Sequence, residues 1–571
     1  MEDDFKLALE NTKEFTVADA IIKELVKNGV EKAFGIVSVH NLPIYDAIAR
    51  EGSIELITAR GESGAVNMAD GYSRANGKLG VVITSTGTGA GNAAGSLVEA
   101  WSAGTPLLHI TGEIESPYIN QGRHYIHEAK DQLSMMDGAS KKAYRLRKPE
   151  QAYSVIRRSI DKAFEAPTGP VTLEIPIDYQ SAIISDSNIK EVHKNSNSDF
   201  KEQVFEPSEE LLRKITAAQR PVIWAGGGVI KSGASEEITE LAEMLGAAVI
   251  TSQAGKGSIP ENHPLCVGYF SSNQVVRDFV RNSDFMLSVG TQFRSTETGL
   301  WDAFVPEEHI SINTNIHAFN LNYPVTQGIA GDAKLILSNI IYRLKGKSFS
   351  VEEKYTGEVK QLRDQVRKNL LDTLGPYKHF ASDIRKILPR EGILVRDVTV
   401  PANLWGSRVI DTLLPGTSIY TAGGGIGQGL PLAIGAQVAC KEHPVVLMAG
   451  DGGFLLNIGE MATAAQENLP ITVLLFDDAG FGVLRGIQDA TYGNRVAVDL
   501  QSPDFVQLGE SMGFNSKPVR SAAEFTSVFT EAVSSDKPSL IVVDMHAVGP
   551  VTKKYAGTPG AVPDYQPKKI K

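Results

Sequence analysis

Two acidic residues that each follow an apolar run constrain the fold of this chain most strongly. Asp451 opens Asp-Gly-Gly after the run PVVLMAG, and Asp478 closes the run ITVLLFDD. In a parallel sheet both runs deliver their carboxylates to the same C-terminal edge, where open α/β sheets bind ligands. Mg²⁺ binds through one or two carboxylates and takes its remaining oxygens from water and phosphate. The pattern therefore predicts a parallel sheet that holds Mg²⁺ and a phosphorylated ligand.

Length and composition predict several α/β domains. A chain of 571 residues is too long for one core. Two polar stretches divide it: Ser185–Gln203 is predicted to be an exposed linker, and the charged Lys345–Gln365 to begin as a loop and end as a solvated helix. Between them, short β-branched runs alternate with helical patterns, which is typical of mainly parallel sheets flanked by helices. The predicted domains and tail are 1–187, 206–346, 366–545 and 546–571.

Charge and cysteine content exclude several classes of protein. A formal charge of −11 argues against nucleic-acid binding, which needs a basic face. No apolar run approaches the roughly 18 residues of a membrane span, and the acidic start MEDDF is unlike a secretory signal. The two cysteines, Cys266 and Cys440, are too few and too far apart for a disulfide framework or a thiolate metal site. A cytoplasmic location is expected.

Three further segments carry chemistry. Glu62 stands directly after an apolar strand pattern and before a helix pattern that ends in GYSRANGK. The stretch SIYTAGGGIGQGLPLAIGAQVA has five glycines between Gly423 and Gly429, and glycine lets a backbone approach a ligand closely. AGFGVLRG follows Asp478 directly and predicts a helix whose first N–H groups are free to bind phosphate.

With the Asp-Gly-Gly segment, these motifs resemble the acetolactate synthase and 2-oxoacid decarboxylase superfamily of thiamine diphosphate enzymes across nearly the whole chain. MATAAQENLPITVLLF, GIQDATYGNR and SPDFVQLGESMGF are most similar to acetolactate synthases. The superfamily has a pyrimidine-binding, a central Rossmann-like and a diphosphate-binding domain, and that order fits the order of the motifs. Its active sites lie between subunits, so the resemblance implies a homodimer or homotetramer in which Glu62 of one subunit and Asp451 of the next complete one site.

The resemblance implies roles for the residues around the aminopyrimidine. Glu62 is expected to bond its N1′ atom, so that a nitrogen of the cofactor itself acts as the general base at C2. The Gly424 carbonyl is expected to receive the 4′-amino group. Ile426 is expected to lie under the cofactor and force its two rings into a V.

The diphosphate end follows the same resemblance. Mg²⁺ is expected at Asp451, Asp478 and the Gly480 carbonyl. Asp477-Asp478 replaces the usual Asn pair, but a carboxylate offers a hard oxygen at the same reach; a shifted register would place Asp477 on the metal instead. The remaining residues expected to contact the diphosphate are Gly452, Gly453, Phe481 and Gly482.

The substrate pocket departs from acetolactate synthases. FGIVSVHNLP replaces their FGxPG, and His127-Glu128 stands where they commonly have Gln-Glu. His40 and His127 are either proton relays for the substrate or hydrogen-bonded walls of its pocket. Arg485 and Arg123 are candidates to hold the carboxylate of a second substrate.

The predicted reaction is decarboxylation of a 2-oxo acid, with pyruvate the first choice, and carboligation to a second 2-oxo acid to give 2-acetolactate. This product would place the chain in branched-chain amino acid biosynthesis. The alternative is a non-ligating decarboxylase that releases an aldehyde. A pocket that excludes water and holds a second carboxylate favours the first outcome, whereas early arrival of a proton favours the second.

The central block carries AGGGVIKSGA, which superficially suggests a nucleotide loop. It lacks the full GxGxxG with a downstream acid, so a bracing domain is the favoured interpretation. Acetolactate synthases bind FAD here, but GTQFRSTETGLWDAF follows that pattern only loosely and FAD is not favoured. Two other functions are alternatives. One is an NAD(P)-dependent oxidoreductase built on this loop. The other is a non-catalytic scaffold, against which Glu62, Ile426 and Asp451 argue.

Overall fold

The computed structural model describes residues 15–184, 205–552, 555 and 557. The predicted linker Ser185–Gln203 lies outside these residues, as do the first 14 residues and most of the predicted tail. The described residues form two compact units. The first holds 15–184 with Ala422–Gly424 and Ile434–Ala439, and the second holds the rest.

Three six-stranded sheets in which every strand pairing is parallel confirm the predicted α/β class, with one sheet in each of three domains. The first sheet comprises β1 Lys32–Gly35, β2 Glu55–Thr58, β3 Gly80–Thr84, β4 Leu107–Glu113, β5 Lys142–Arg145 and β6 Pro170–Pro176. The second comprises β7 Pro221–Ala225, β8 Ala248–Thr251, β9 Cys266–Gly268, β10 Phe285–Val289, β11 Glu308–Asn313 and β12 Gln327–Ala330. The third comprises β13 Ile393–Arg396, β14 Ser418–Tyr420, β15 Val445–Gly450, β16 Thr472–Asp477, β17 Asn515–Val519 and β18 Ser539–Asp544.

Helices flank the sheets. The helices before, between and just after the strands of the first sheet are α1 Val17–Lys27, α2 Leu42–Glu51, α3 Glu62–Asn76, α4 Thr88–Ala103, α5 Gln132–Ala139, α6 Ala152–Phe164 and α7 Ile177–Gln180. The middle of the chain has α8 Glu209–Ala217, α9 Gly227–Lys231, α10 Ser235–Leu245, α11 Gln274–Arg281, α12 Ser295–Thr298, α13 Ala333–Leu344 and α14 Tyr355–Leu371. The last block has α15 Lys378–Ile387, α16 Gly429–Ala439, α17 Asp451–Phe454, α18 Glu460–Gln466, α19 Gly482–Thr491, α20 Phe505–Ser511, α21 Phe525–Val533 and α22 Met545–Val548.

The first and third sheets have the same strand order. Their orders are β2-β1-β3-β4-β6-β5 and β14-β13-β15-β16-β18-β17, whereas the second sheet runs β12-β11-β10-β7-β8-β9. In the third sheet the direction of winding reverses between β13 and β15. Ligands of open α/β sheets bind at such a reversal, beyond the carboxyl ends of the strands.

β15, which lies at this reversal, and its neighbour β16 are buried almost to their ends. In β15 and β16 five consecutive residues are buried and only the last is partly open. Apolar runs of this kind are typical of parallel strands covered by helices on both faces. The polar residues that follow them therefore emerge together at one edge.

The charged stretch Lys345–Gln365 behaves partly as predicted. It begins as a loop and ends in α14, but α14 is not simply solvated, because Tyr355, Val359, Leu362 and Val366 are buried along one face. The Tyr355 hydroxyl donates to the Pro221 carbonyl at 2.8 Å, which fixes that face on the second sheet. In the part of the chain that the structure describes, no helix is long and apolar enough to cross a membrane.

Candidate active site

The two acidic residues of the predicted metal site meet at the edge of the third sheet. Asp451 follows β15 and Asp478 follows β16, and these strands are neighbours with Gly450 opposite Phe476. Asp451 is 1% exposed. Burial raises the pKa of Asp478, and the neighbouring Asp451 raises it further; burial and then Asp477 raise the pKa of Asp451. Buried carboxylates that destabilise each other's charge in this way are suited to hold a cation.

Asp451 has one satisfied and one unsatisfied oxygen. Its Oδ2 atom accepts a hydrogen bond from the Gly480 amide at 2.8 Å and lies 3.2 Å from the Ser502 hydroxyl. Its Oδ1 atom is buried and has no hydrogen-bond partner among the residues that the structure describes. A buried acceptor without a partner is costly, and a bound cation would satisfy it.

Residues 479–480 form the turn that brings a carbonyl to this site. Ala479 has a left-handed φ of 55°, a conformation that costs a non-glycine residue free energy and clusters at functional sites. A Cβ atom at Gly480 would lie 2.1 Å from the Val498 carbonyl oxygen, so only glycine fits there. The Gly480 carbonyl oxygen in turn lies 3.3 Å from the Cβ position of Gly452. The turn therefore places this carbonyl beside the Asp-Gly-Gly segment.

The donor set suits Mg²⁺. Among the described residues, no three His, Cys, Asp or Glu side chains are grouped to hold a metal ion. Mg²⁺ does not need such a group, because water and phosphate oxygens complete its octahedron. Asp451, Asp478 and the Gly480 carbonyl would hold the ion. Asp477 is less available, because its Oδ1 atom accepts from the Ala479 amide and lies 3.0 Å from the Ser502 hydroxyl.

The helix predicted after Asp478 is confirmed. It begins at Gly482, preceded by Phe481 at the N-cap position. The Phe481 ring lies 2.8 Å from the Cβ position of Gly452, so a side chain on Gly452 would collide with it. The first turn of this helix thus stands beside the metal donors, where its free N–H groups are suited to bind phosphate.

Arg485, a candidate to hold a substrate carboxylate, bonds the turn beside Asp478. Its guanidinium donates to Asp478 Oδ2 at 3.2 Å and to Asp499 at 2.8 Å, and also to the carbonyls of Asp478 and Ala479. These bonds brace the turn that carries the metal donors. Arg123 stacks on the Tyr118 ring at 5.3 Å and is exposed.

The second half of the glycine-rich loop is held by two residues that sequence reasoning missed. Asp397 accepts hydrogen bonds from the amides of Gly427 and Gly429 at 3.2 and 3.1 Å, and Asn457 donates to the Gly427 carbonyl at 2.7 Å. Asp397 directly follows the strand β13, which reads ILVR, and this is the same strand-then-acid signal that revealed Asp451. Ile426 is only half-buried, and its Cβ atom lies 3.5 Å from the Cβ position of Gly453.

Glu62 lies at the carboxyl edge of the first sheet. It is the first residue of α3 and half-buried. Its Oε2 atom accepts a hydrogen bond from the Asn92 side chain at 3.2 Å. Its Oε1 atom lies 2.9 Å from the Cβ position of Gly89, so glycine there leaves room beside the carboxylate. Burial and then Glu62 raise the pKa of the Tyr45 hydroxyl, which has no hydrogen-bond partner.

His40 and His127 are brought together at the same edge. Their ring centroids are 5.1 Å apart in an edge-on arrangement. His40 is 4% exposed, and neither ring nitrogen makes a hydrogen bond of good geometry. Burial, followed by His127, lowers the pKa of His40. His40 is therefore a neutral imidazole at pH 7, with His127 beside it.

A third residue that the sequence did not reveal supports both histidines. A Cβ atom at Gly112 would lie 2.2 Å from the His40 carbonyl, and one at Gly87 would lie 2.1 Å from the His127 carbonyl. The buried Gln132 side chain accepts from the Gly87 amide at 2.6 Å and donates to the Gly112 carbonyl at 3.0 Å. Gln132 thus fixes the two glycines against which the histidine backbones pack.

Family models match the chain in three places. They describe a thiamine pyrophosphate enzyme's N-terminal TPP binding domain at residues 15–135, its central domain at 208–340 and its C-terminal TPP binding domain at 401–543. The chain belongs to the thiamine pyrophosphate enzyme family. Thiamine pyrophosphate is another name for thiamine diphosphate, so the resemblance found in the motifs is confirmed.

Individual relatives refine this assignment. The chain is 31% identical to a probable acetolactate synthase large subunit of Methanocaldococcus jannaschii, with 92% of each protein covered. It is 30% identical to a probable 2-ketoarginine decarboxylase of Pseudomonas aeruginosa, with 89% of this chain and 90% of that protein covered. The fold is similar to a thiamine diphosphate-dependent 4-hydroxybenzoylformate decarboxylase of Rhodococcus jostii RHA1, with a TM-score of 0.78 and 23% identity over 93% of this chain and 99% of that one. This thiamine diphosphate enzyme is acetolactate synthase-like.

Backbone packing explains the glycines that follow the first strand of the middle domain. A Cβ atom at Gly226 would lie 2.3 Å from the Gly290 carbonyl oxygen, and one at Gly228 would lie 2.6 Å from the Gly290 Cα atom. Close packing between the ends of β7 and β10 therefore explains glycine at both positions. The FAD expectation stays a prediction.

Proposed function

We propose that the protein decarboxylates a 2-oxo acid, with pyruvate the first choice, and joins the remaining fragment to a second 2-oxo acid to form 2-acetolactate. The observation that carries this proposal is the meeting of Asp451, Asp478 and the Gly480 carbonyl at one sheet edge in a chain of this family. Similarity to an acetolactate synthase over nine-tenths of the chain supports the choice of product.

The geometry supports a specific set of residues for the cofactor end of the site. Asp451, Asp478 and Gly480 would hold Mg²⁺, and Gly452, Gly453, Phe481 and Gly482 would receive the diphosphate at the start of α19. When bound, thiamine diphosphate supplies a carbon nucleophile at C2 and takes up the electron pair left by departing CO₂.

The aminopyrimidine end uses three residues. The Gly424 carbonyl would accept the 4′-amino group, and the half-buried Ile426 would support the bent cofactor. Glu62 would bind N1′ and control the proton at the aminopyrimidine. In the homodimer or homotetramer that we propose, Glu62 comes from the neighbouring subunit.

The histidine pair supports a second candidate function. A buried, neutral His40 in contact with His127 is suited to move a proton to or from a substrate oxygen or carbon. Timely proton delivery would release an aldehyde instead of a ligated product. A non-ligating 2-oxoacid decarboxylase is therefore the alternative, and the similarity to a probable 2-ketoarginine decarboxylase favours it.

One incubation separates the two candidates. Purified protein is mixed with thiamine diphosphate, Mg²⁺ and ¹³C-labelled pyruvate, and the products are followed by NMR. Acetolactate supports the proposal, and acetaldehyde alone supports the alternative. The variant Asp451→Ala serves as the control, because it should lose both activities. Failure of the wild type to bind thiamine diphosphate in calorimetry would refute both candidates.

A further inference from the structure

A buried network of three charged side chains lies behind the helix that begins at Glu62. Arg74, on α3, donates from Nε to Asp70 Oδ1 at 2.8 Å and from Nη2 to Glu99 Oε1 at 2.9 Å. Asp70 and Glu99 are 0% and 1% exposed. Although burial lowers it, Asp70 and Glu99 raise the pKa of Arg74 overall. Both carboxylates are thus buried, and Arg74 pairs with each of them.

Glu99 also binds the start of the glycine-rich loop. Its Oε1 atom accepts from the Ala422 amide at 2.5 Å, and its Oε2 atom accepts from the Gly423 amide at 2.6 Å. A Cβ atom at Gly423 would lie 2.8 Å from Oε2, so the carboxylate occupies the space of a side chain. Each oxygen therefore serves a different backbone donor next to Gly424.

A second contact ties the chain beyond this loop to α3. A Cβ atom at Gly435, on α16, would lie only 1.9 Å from the Met68 carbonyl oxygen. The two helix backbones are thus in direct contact, with no room for a side chain. The helix that carries Glu62 is therefore linked to the chain on both sides of the loop. Before the loop, the link runs from Arg74 through Glu99 to residues 422–423. After the loop, it is the direct contact with Gly435.

Gly424 itself has little other support. It is exposed, has a left-handed φ of 79°, and nothing among the described atoms lies within 4 Å of its Cβ position. Its backbone is therefore positioned by the anchored residues on either side of it. These are Ala422 and Gly423, whose amides Glu99 binds, and Gly427, whose amide Asp397 binds.

We infer that Glu99 is a positioning residue that orients the Gly424 carbonyl toward the 4′-amino group of the cofactor, with Arg74 and Asp70 holding its carboxylate in place. The inference rests on the proposed function. Burying an ion pair usually brings little stability, because desolvation offsets the attraction, so a role in orienting the loop accounts for charges at these positions. Glu99 acts through the backbone and does not itself contact the cofactor.

Glu99→Gln tests this role directly. A carboxamide has one oxygen, so it can accept from only one of the two amides, and its NH₂ group faces the other. It also leaves Arg74 without its second anion. Partners that orient a functional group typically contribute about 10- to 100-fold, and we expect hydrogen–deuterium exchange at C2 of the bound cofactor to slow by that factor. kcat should fall with it, while KM for pyruvate stays near the wild-type value.

Gly423→Ala reaches the same contact from the loop side without touching a buried charge. Its φ is not left-handed, so the new methyl group meets only the Glu99 carboxylate and its surroundings. We expect the same slowing of exchange. For both variants we also expect a shift in the circular dichroism bands that report the amino and imino forms of the aminopyrimidine. This variant decides the question if Glu99→Gln does not fold.

Glu261→Gln is the matched control. Glu261 is also a buried glutamate that pairs with a cation, Lys256, and accepts a backbone amide, that of Thr412 at 2.7 Å. In the described part of the chain the hydrogen bonds of its side chain go to Lys256 and Thr412 and not to the glycine-rich loop, so exchange should remain at the wild-type rate even if thermal stability falls.

The experiments distinguish failure of the positioning role from failure of the proposed function. If the wild type binds the cofactor and exchanges C2 hydrogen, but Glu99→Gln and Gly423→Ala exchange equally fast, the positioning role is refuted and the proposed function stands. If Glu261→Gln slows exchange as much as Glu99→Gln, the effect is one of general stability and the inference also fails. If the wild type neither binds the cofactor nor exchanges, the proposed function fails first.

Discussion

Replacing Glu62 by Gln separates a role in proton transfer from a role in folding. Gln keeps the size of the side chain and can still bond Asn92, whose amide lies 3.2 Å from Glu62 Oε2. It loses the negative charge that would hold a proton at N1′ of the cofactor. Cofactor binding should remain, and turnover should collapse.

The magnitudes of the two effects differ enough to decide between the roles. A carboxylate in the first turn of a helix contributes about 0.3–1 kcal/mol through the helix dipole, so unfolding should become easier by no more than about 1 kcal/mol. Positioned proton transfer contributes about 10²–10⁴-fold, which is roughly 2.7–5.4 kcal/mol in the barrier at about 1.36 kcal/mol per tenfold. Activity should therefore fall far more than stability.

The assay is hydrogen–deuterium exchange at C2 of bound thiamine diphosphate, quenched in acid and read by NMR. Glu209→Gln is the matched control, because Glu209 is also the first residue of a helix but lies in the second unit. It should show the same small change in thermal transition and full exchange. Exchange at the wild-type rate in Glu62→Gln would remove Glu62 from proton transfer.

Four further outcomes are expected. Ile426→Ala should weaken cofactor affinity and turnover without loss of far-UV circular dichroism, since the side chain is only half-buried; loss of structure in the apo variant would make Ile426 a core residue instead. His127→Ala should change the ratio of aldehyde to acetolactate, and an unchanged ratio with unchanged KM would reduce it to a pocket wall. Asp478→Asn should stay active, whereas Asp478→Ala should lose metal-dependent cofactor binding in titrations with and without EDTA; full affinity in the Ala variant would move the metal ligand elsewhere. Mixed dimers of Glu62→Gln and Glu99→Gln chains should recover roughly half of wild-type activity, because one of the two symmetric sites then keeps both groups; activity no higher than in either parent would contradict sites shared between subunits.

The candidate metal donors could be found in the sequence because their signal is local. Asp451 and Asp478 each end an apolar run, and a parallel sheet aligns the ends of its strands whatever its strand order. Ser502 and Asn457 could not be found this way. Neither directly follows a strand, and only the folded chain brings Ser502 to Asp451 and Asn457 to the glycine-rich loop.

The histidines mark the limit of such reasoning. Each histidine stands in a segment that departs from the family pattern, and this makes it a candidate. Their 5.1 Å approach, however, depends on close backbone packing at Gly87 and Gly112. Gln132, which fixes both glycines, carries no motif. Its charge alone makes Arg485 a candidate to hold a substrate carboxylate, and the structure pairs it with Asp478 and Asp499.

The sequence by itself determined the α/β class and the residues that end strands, because each depends on a short segment and its own periodicity. The cofactor family came from the resemblance of a few short motifs. Only the tertiary structure decided that Glu99 binds amides 323 and 324 positions later in the chain, and that Gly435 packs on Met68. Such pairs are set by which helices and strands become neighbours in space. Strand order and helix packing are properties of the whole chain, so no local pattern encodes them.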